Sequence, residues 1–174
     1  MTEYLVKELN KLFHPFTSSH YTLNSCNLQE LTQEDTIILG QNLVQIDPWK
    51  TLNYSAEGLS NYLFQTEPLL YKFGIISCRQ LVGVVCIRYP WLRGAYLELL
   101  AIYPTQQGRG IGKEVILWFE SEAKQTSRNI WTLVSSFNTK ARHFYNGMGF
   151  VEIGTLESFV VSGYDELLLR KVIN

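Results

Sequence analysis

The sequence predicts an α/β fold with a mixed, mostly antiparallel central sheet flanked by helices. Three observations point there. Apolar runs of strand length alternate with amphipathic stretches of helix length. Residues 70–78 and 81–89 read as two strands around an Arg79-Gln80 turn, a hairpin signature. Further on, strands alternate with helices as in βα units, which place helices on the sheet faces.

The elements follow in order. Residues 2–13 read as a short amphipathic helix with Tyr4, Leu5, Leu9, Leu12 and Phe13 as its apolar members. HPFTSSH reads as a linker and residues 21–28 as a first strand. Thr32, ahead of Glu34 and Asp35, suits a helix start, and that helix is expected to run to about Gln45. Asp47-Pro48-Trp49 breaks it. Ser55 opens a second helix that ends before Pro68. After the hairpin, residues 90–94 connect to a strand over 95–102. A helix is expected from about Gly110 to Gln125, a strand over 130–135, and a helix from Asn138 to near Gly147. Strands over 150–156 and 166–172, joined by a longer connection, complete the chain. Residues 1–20 are read as an N-terminal extension and 21–174 as one domain.

At 174 residues the chain can bury a sizeable core without metals or disulfides. Its net charge of −1 gives no general case for nucleic acid or a membrane surface. Cys26, Cys78 and Cys86 are odd in number and lack metal-ligand spacing, so they read as reduced thiols of a cytoplasmic protein. His14, His20 and His143 are scattered, and no metal site is expected. No apolar run reaches transmembrane length, and the N-terminus lacks a signal-peptide profile.

The run AYLELLAIYPTQQGRGIG, from Ala95 to Gly112, is the most informative. An apolar strand leads through a glycine-rich turn into a helix, which gathers free backbone N–H groups at the helix start. Such groups bind phosphate. Gly108, Gly110 and Gly112 fall at alternate positions. A Walker loop is excluded because Glu114, not Ser or Thr, follows Lys113. The G-x-G-x-G spacing also differs from a dinucleotide fingerprint. A tight strand-to-helix turn, with glycines kept for packing, is the alternative.

The Q-x-x-G-x-G loop at Gln107, after a strand ending in LLAIYP, resembles motif A of the GNAT superfamily of N-acetyltransferases. The segment NTKARHFYNGMGFVEIG resembles the same family's motif B through Asn138, Ala141, Phe144-Tyr145 and Gly149-Phe150. The resemblance covers about residues 70–172. It implies a GNAT-like fold and acetyl-CoA as acetyl donor. The pyrophosphate would lie on Gln107, Gly108, Arg109, Gly110, Ile111, Gly112 and Lys113. The strand residues Leu100, Ala101 and Ile102 would border the donor, as would Ala141 and Phe144. Asn138 would contact the pantetheine arm, and Tyr145 would lie near the sulfur. Asn138 is also a good helix cap in its own right. Tyr145 follows two helical turns later, so it can share a face with Asn138.

Strand alternation places Tyr96, Glu98, Leu100 and Ile102 on one face and Leu97, Leu99 and Ala101 on the other. A charge in so apolar a strand needs water or a partner. Glu98 is read as a general base at a cleft, a place where related acetyltransferases also carry a glutamate. The alternative is an ion pair with Arg88 or Arg93. At neutral pH about one alkyl ammonium in a thousand or fewer is a free amine, which sets the task for a base. A strand N–H, that of Leu100, is expected to stabilise the oxyanion. Tyr145 is expected to protonate the thiolate as hydrogen-bond donor and general acid. With ordinary pKa values that transfer is uphill by roughly 2 kcal/mol.

The acceptor is expected to be a primary amine of a small molecule or a protein N-terminus. Residues 42–54 and 158–164 are the expected acceptor segments, with Asp47, Trp49 and Tyr54 as binding residues; a helix break with an aromatic packed on the core is the alternative. A homodimer is left open. A non-catalytic acyl-CoA-binding module and a nucleotide-binding regulatory domain are the competing classes.

Overall fold

The computed structural model describes residues 14–174. The helix expected over 2–13 lies outside the described residues. Strands β1 (His20–Thr22), β2 (Asn27–Glu30), β3 (Leu70–Ser77), β4 (Gln80–Trp91) and β5 (Gly94–Ile102) form an antiparallel meander. Strand β6 (Asn129–Ser135) adds parallel to β5. Strands β7 (Val151–Val161) and β8 (Tyr164–Val172) complete a sheet of order β1-β2-β3-β4-β5-β6-β8-β7. Helices α1 (Gln33–Leu43) and α2 (Ala56–Phe64) cover one face. Helices α3 (Ile111–Lys124) and α4 (Thr139–Gly147) cover the other.

Each helix starts at the cap its sequence offers. The Thr32 hydroxyl accepts from Asp35 N at 3.1 Å, and the Asp35 carboxylate accepts from Thr32 N at 2.9 Å, a reciprocal box. Ser55 caps α2 and Asn138 caps α4. Ile111, Val115, Phe119 and Ala123 recur one turn apart along α3 and are all buried, which seats that helix on the sheet.

Four connections differ from expectation. The strand expected over 21–28 is a hairpin, β1 and β2, because Asn24 and Ser25 turn the chain and Leu23 N donates to Cys26 O at 2.9 Å. HPFTSSH is not a free linker, since Phe16 is 1% exposed among Tyr71, Tyr89, Trp118 and Phe119. Strand β4 continues through Pro90, and only Leu92 and Arg93, both at positive φ, turn it into β5. Residues 158–164 are no long loop either. They lie in the β7–β8 hairpin, where the register breaks between Leu156 and Val161.

Two features of β5 shape everything built on it. Cys86 pairs with Leu99 and Ile87 with Leu97, which leaves Glu98 as the extra residue of a β-bulge. The bulge reverses the expected alternation: Leu97 packs in the same cluster as Leu100 and Ile102, while Leu99 and Ala101 join the other. The second feature is a fork. β5 and β6 pair only through Ala95–Ile130, Tyr96–Trp131 and Leu97–Thr132, and then diverge. The Thr132 hydroxyl donates to the Leu97 carbonyl at 3.0 Å at the point of the fork.

Close approach of β4 to β5 requires Gly83, where an added Cβ would lie 2.1 Å from the Ala101 carbonyl oxygen. Gly83→Ala should therefore cost about 2–3 kcal/mol through forced separation of the strands. For a chain of this size that lowers Tm by roughly 5 °C or more in a thermal melt.

Candidate functional site

The glycine loop leaves β5 through a short 3-10 turn, Pro104–Gln106, and enters α3 at Gly110. Gly108 and Gly110 have φ of 76° and 85°, the left-handed region that glycine adopts without strain. Gly110 is the N-cap and offers no side chain to the first helical N–H groups. The ladder begins with Glu114 N donating to Gly110 O at 3.0 Å, so the N–H groups of Ile111, Gly112 and Lys113 are left for an anion. Gln107 fixes the loop, its Nε2 donating to Ile102 O at 2.7 Å while its Oε1 accepts from Lys140. A Cβ on Gly112 would meet Ile102 and Phe144 side chains at 3.3 Å, so a larger residue would push α3 off α4 and β5.

A cavity of about 620 Å³ runs from this loop toward the fork. Every expected donor-binding residue borders it except Arg109, which is exposed. Lys140, Pro104 and Gln106 border it too and were not expected, and Ile46, from the segment expected at the acceptor, borders this cavity instead. Asn138 serves as the cap of α4, its Oδ1 accepting from Ala141 N at 3.1 Å.

A second cavity, of about 500 Å³, opens on the far side of the fork. Tyr54, Tyr62 and Tyr96 line it, with Glu98 on β5 and Glu166 on β8. Phe159 and Val160, from the irregular part of β7, close it. Pro48, Trp49, Leu100, Asn138, Ala141 and Tyr145 border both cavities and mark where they meet. Of the three expected acceptor residues, Tyr54 lines the second cavity and Trp49 the shared border. Asp47 borders the first cavity, its carboxylate accepting from the Thr51 hydroxyl at 2.6 Å.

The two expected catalytic residues sit differently. Tyr145 is 7% exposed, and burial pushes its phenol up to about 12, so it is a neutral donor across the working pH range. Glu98 is held by three donors. Arg88 Nε donates to Oε2 at 2.7 Å, Arg88 Nη2 to Oε1 at 3.2 Å, and Tyr62 OH to Oε1 at 2.8 Å. The Glu98 hydrogen bond in turn holds the Arg88 guanidinium pKa above its ordinary value. Arg88 also meets Glu67 at 2.5 Å. Glu98 thus occupies the ion-paired arrangement that was the alternative reading of its sequence position.

Glu166 was missed. It is 5% exposed at the start of β8, and Ser135 Oγ donates to its Oε1 at 2.6 Å. Burial raises its carboxyl above the usual carboxylate range, and the Ser135 hydrogen bond works in the opposite direction. Its signal was akin to the one used for Glu98: an acid beside an apolar strand run, here at the head of the strand expected over 166–172. Among the described residues, no three His, Cys, Asp or Glu side chains gather closely enough to hold a metal ion. Among the same residues, no helix is long and apolar enough to cross a membrane.

A mixed sheet forked beside a glycine-framed helix start is the architecture that these elements build. The chain belongs to the acetyltransferase (GNAT) family, whose model matches residues 30–150. No curated protein sequence matches it. Among solved structures it is similar to an acetyltransferase from Thermus thermophilus, at 19% identity and TM-score 0.68, covering 88% of this chain and 100% of that one. Mycobacterium smegmatis RimJ in complex with CoA-disulfide is similar at 17% identity and TM-score 0.68, covering 91% and 90%. The ribosomal-protein-S5-alanine acetyltransferase from Vibrio fischeri is similar at 16% identity and TM-score 0.64, covering 90% and 98%.

Proposed function

We propose that the chain transfers the acetyl group of acetyl-CoA directly to a primary amine, borne by a small molecule or a protein N-terminus. One observation carries this reading: the two cavities meet at Leu100, Asn138 and Tyr145, so a donor and an acceptor can touch there. The first cavity suits a phosphate-bearing chain with amide links. The N–H groups at the start of α3, with Lys113 and Lys140 nearby, favour phosphate. Past the fork, β5 has no partner on its β6 side, so its edge can bond an extended amide chain as an added strand would. The RimJ neighbour holds CoA-disulfide, and the Vibrio fischeri neighbour is named for acetylating an alanine of a protein, which supports both halves of the reading.

Direct transfer fits the thiols. Cys26, Cys78 and Cys86 border neither cavity, and Cys86 is fully buried, which pushes its thiol up to about 12. The amine nitrogen bonds to the acetyl carbon, the C–S bond breaks, and one proton leaves the nitrogen. The Leu100 N–H is assigned to the developing oxyanion. Tyr145 donates a hydrogen bond to the departing sulfur. Two carboxylates, Glu98 and Glu166, border the acceptor side as candidates for the proton.

Acetyl-CoA at a hundred times its dissociation constant should stabilise the fold by about 2.7 kcal/mol. For this size that raises Tm by roughly 5–10 °C. CoA should do the same, ATP should not, and amines should then release thiol. Absence of any shift at millimolar acetyl-CoA would end the transferase reading. A shift without thiol release from any amine would favour the non-catalytic module.

A further inference from the structure

We propose that Glu166 is the general base of the acceptor cavity. Its free carboxylate oxygen binds the acceptor's primary ammonium and takes the proton, while Glu98 serves as the anchor of Arg88. This rests on the amine-transfer reading and names the residue that makes it work.

The argument begins with what each carboxylate has left to offer. Glu98 spends its oxygens on Arg88 and Tyr62. Both oxygens are already committed, to a two-pronged guanidinium pair and a phenol, which leaves neither free for an amine. Glu166 is more deeply buried than Glu98, yet among the described residues only Ser135 hydrogen-bonds it and no cation pairs with it. A buried carboxylate without a counter-ion is costly. A cationic acceptor in the second cavity would supply the missing charge. The walls suit that guest, since Trp49, Tyr54, Tyr62 and Tyr96 present aromatic surface, which attracts ammonium groups.

Position agrees with chemistry. Glu166 pairs with Ser135 at the open end of β6, beyond the fork, and lines the same cavity as Tyr145. An amine between them would have the base on one side and the shared border on the other. The balance closes on two protons: the ammonium gives one to Glu166, the freed amine nitrogen bonds the acetyl carbon as the C–S bond breaks, and the nitrogen's second proton passes to the departing thiolate, which leaves as the thiol. The titratable groups that share the cavity with Glu166 are the Glu98 carboxylate, already paired with Arg88, and the phenols of Tyr54, Tyr62, Tyr96 and Tyr145; burial raises all four phenols, so they stay neutral through the working range. The neighbouring Asp165 turns away and accepts from Ser158 N at 3.0 Å. Leu156, opposite Glu166 on β7, is apolar. Glu166 is therefore the group whose ionisation sets the acidic limb of acceptor turnover, and its raised pKa places that limb above the ordinary carboxylate range.

The test is the pH profile of kcat/KM for the amine in wild type, Glu166→Gln, Ser135→Ala and Glu98→Gln. Spermidine and a peptide beginning with alanine serve as probes and separate a small-molecule acceptor from a protein one. Glu166→Gln should lower kcat/KM roughly 100-fold at pH 7. Its profile should lose the acidic limb and climb toward the free-amine pKa of ~10. Its melting shift with acetyl-CoA should remain, which reports a folded donor site. Ser135→Ala removes the hydrogen bond that lowers the Glu166 pKa, so its acidic limb should move to higher pH, and this variant decides the matter if Glu166→Gln does not fold. Glu98→Gln should keep the limb. A limb retained in Glu166→Gln, or lost in Glu98→Gln, overturns the proposal while leaving the transferase reading intact. Transfer to no amine at all is a different result, and it removes both.

Discussion

Tyr145→Phe should lower kcat by about 10²–10³-fold while leaving acetyl-CoA affinity within about twofold. The ring is locked by Phe144 and Phe150 at 5.3 and 5.5 Å, so phenylalanine keeps the packing and loses only the hydroxyl. Tyr145 is the tyrosine that borders both cavities. With the phenol pushed up to about 12 and a thiolate near ~8.5, full proton transfer to sulfur is uphill by roughly 5 kcal/mol. This is steeper than ordinary pKa values imply. Tyr145 is thus expected to steady the thiolate by a hydrogen bond, and the proton that finally neutralises sulfur is not Tyr145's to give. Two readouts follow. The loss should fall on kcat and not on acetyl-CoA KM, and wild-type turnover should show no basic limb from Tyr145 below about pH 11. Unchanged turnover in the phenylalanine variant would take Tyr145 out of the chemistry.

Gly110→Val should raise the acetyl-CoA dissociation constant about 100-fold and abolish the melting shift with acetyl-CoA. Gly110 is left-handed at φ 85°, and a β-branched residue there costs about 1–3 kcal/mol in strain. No protein atom lies within 4 Å of a Cβ built at this position, so strain and not collision disturbs the fold. The new side chain would stand where the first N–H groups of α3 are open to an anion. Relaxation of the strain would re-aim those N–H groups as well. Calorimetric titration checks the affinity, and a melt without ligand separates binding loss from unfolding. An unaltered dissociation constant would mean that the phosphates rest elsewhere.

What the sequence disclosed was local grammar. The glycine loop, the Asn138 cap and the Thr32 box depend on residues within a few positions of one another, so spacing alone reveals them. The Glu98 environment was not legible in that way. A bulge is set by how β4 and β5 settle against each other, and one extra residue moved Leu97 to the face of Leu100. Arg88 was visible as a partner, but Tyr62 reaches Glu98 from α2, 36 residues away. Glu166 went unnoticed because its burial comes from β6 and the cavity walls, not from its neighbours in sequence. The length of β7 was hidden for the opposite reason: nearly all of its residues are exposed, so no alternation marks them.

The fork in the sheet also has a mechanical meaning. Strands β1 to β5 form one blade, and β6, β8 and β7 form another, stitched by the short β5–β6 seam. Each blade supplies part of the cavity lining: the glycine loop extends from β5, whereas Ser135 and Glu166 stand on β6 and β8. A guest lodged between the blades is therefore a keystone. It would add cross-links where the backbone ladder gives out. The place where the sheet is least sewn together is the place where it can grip.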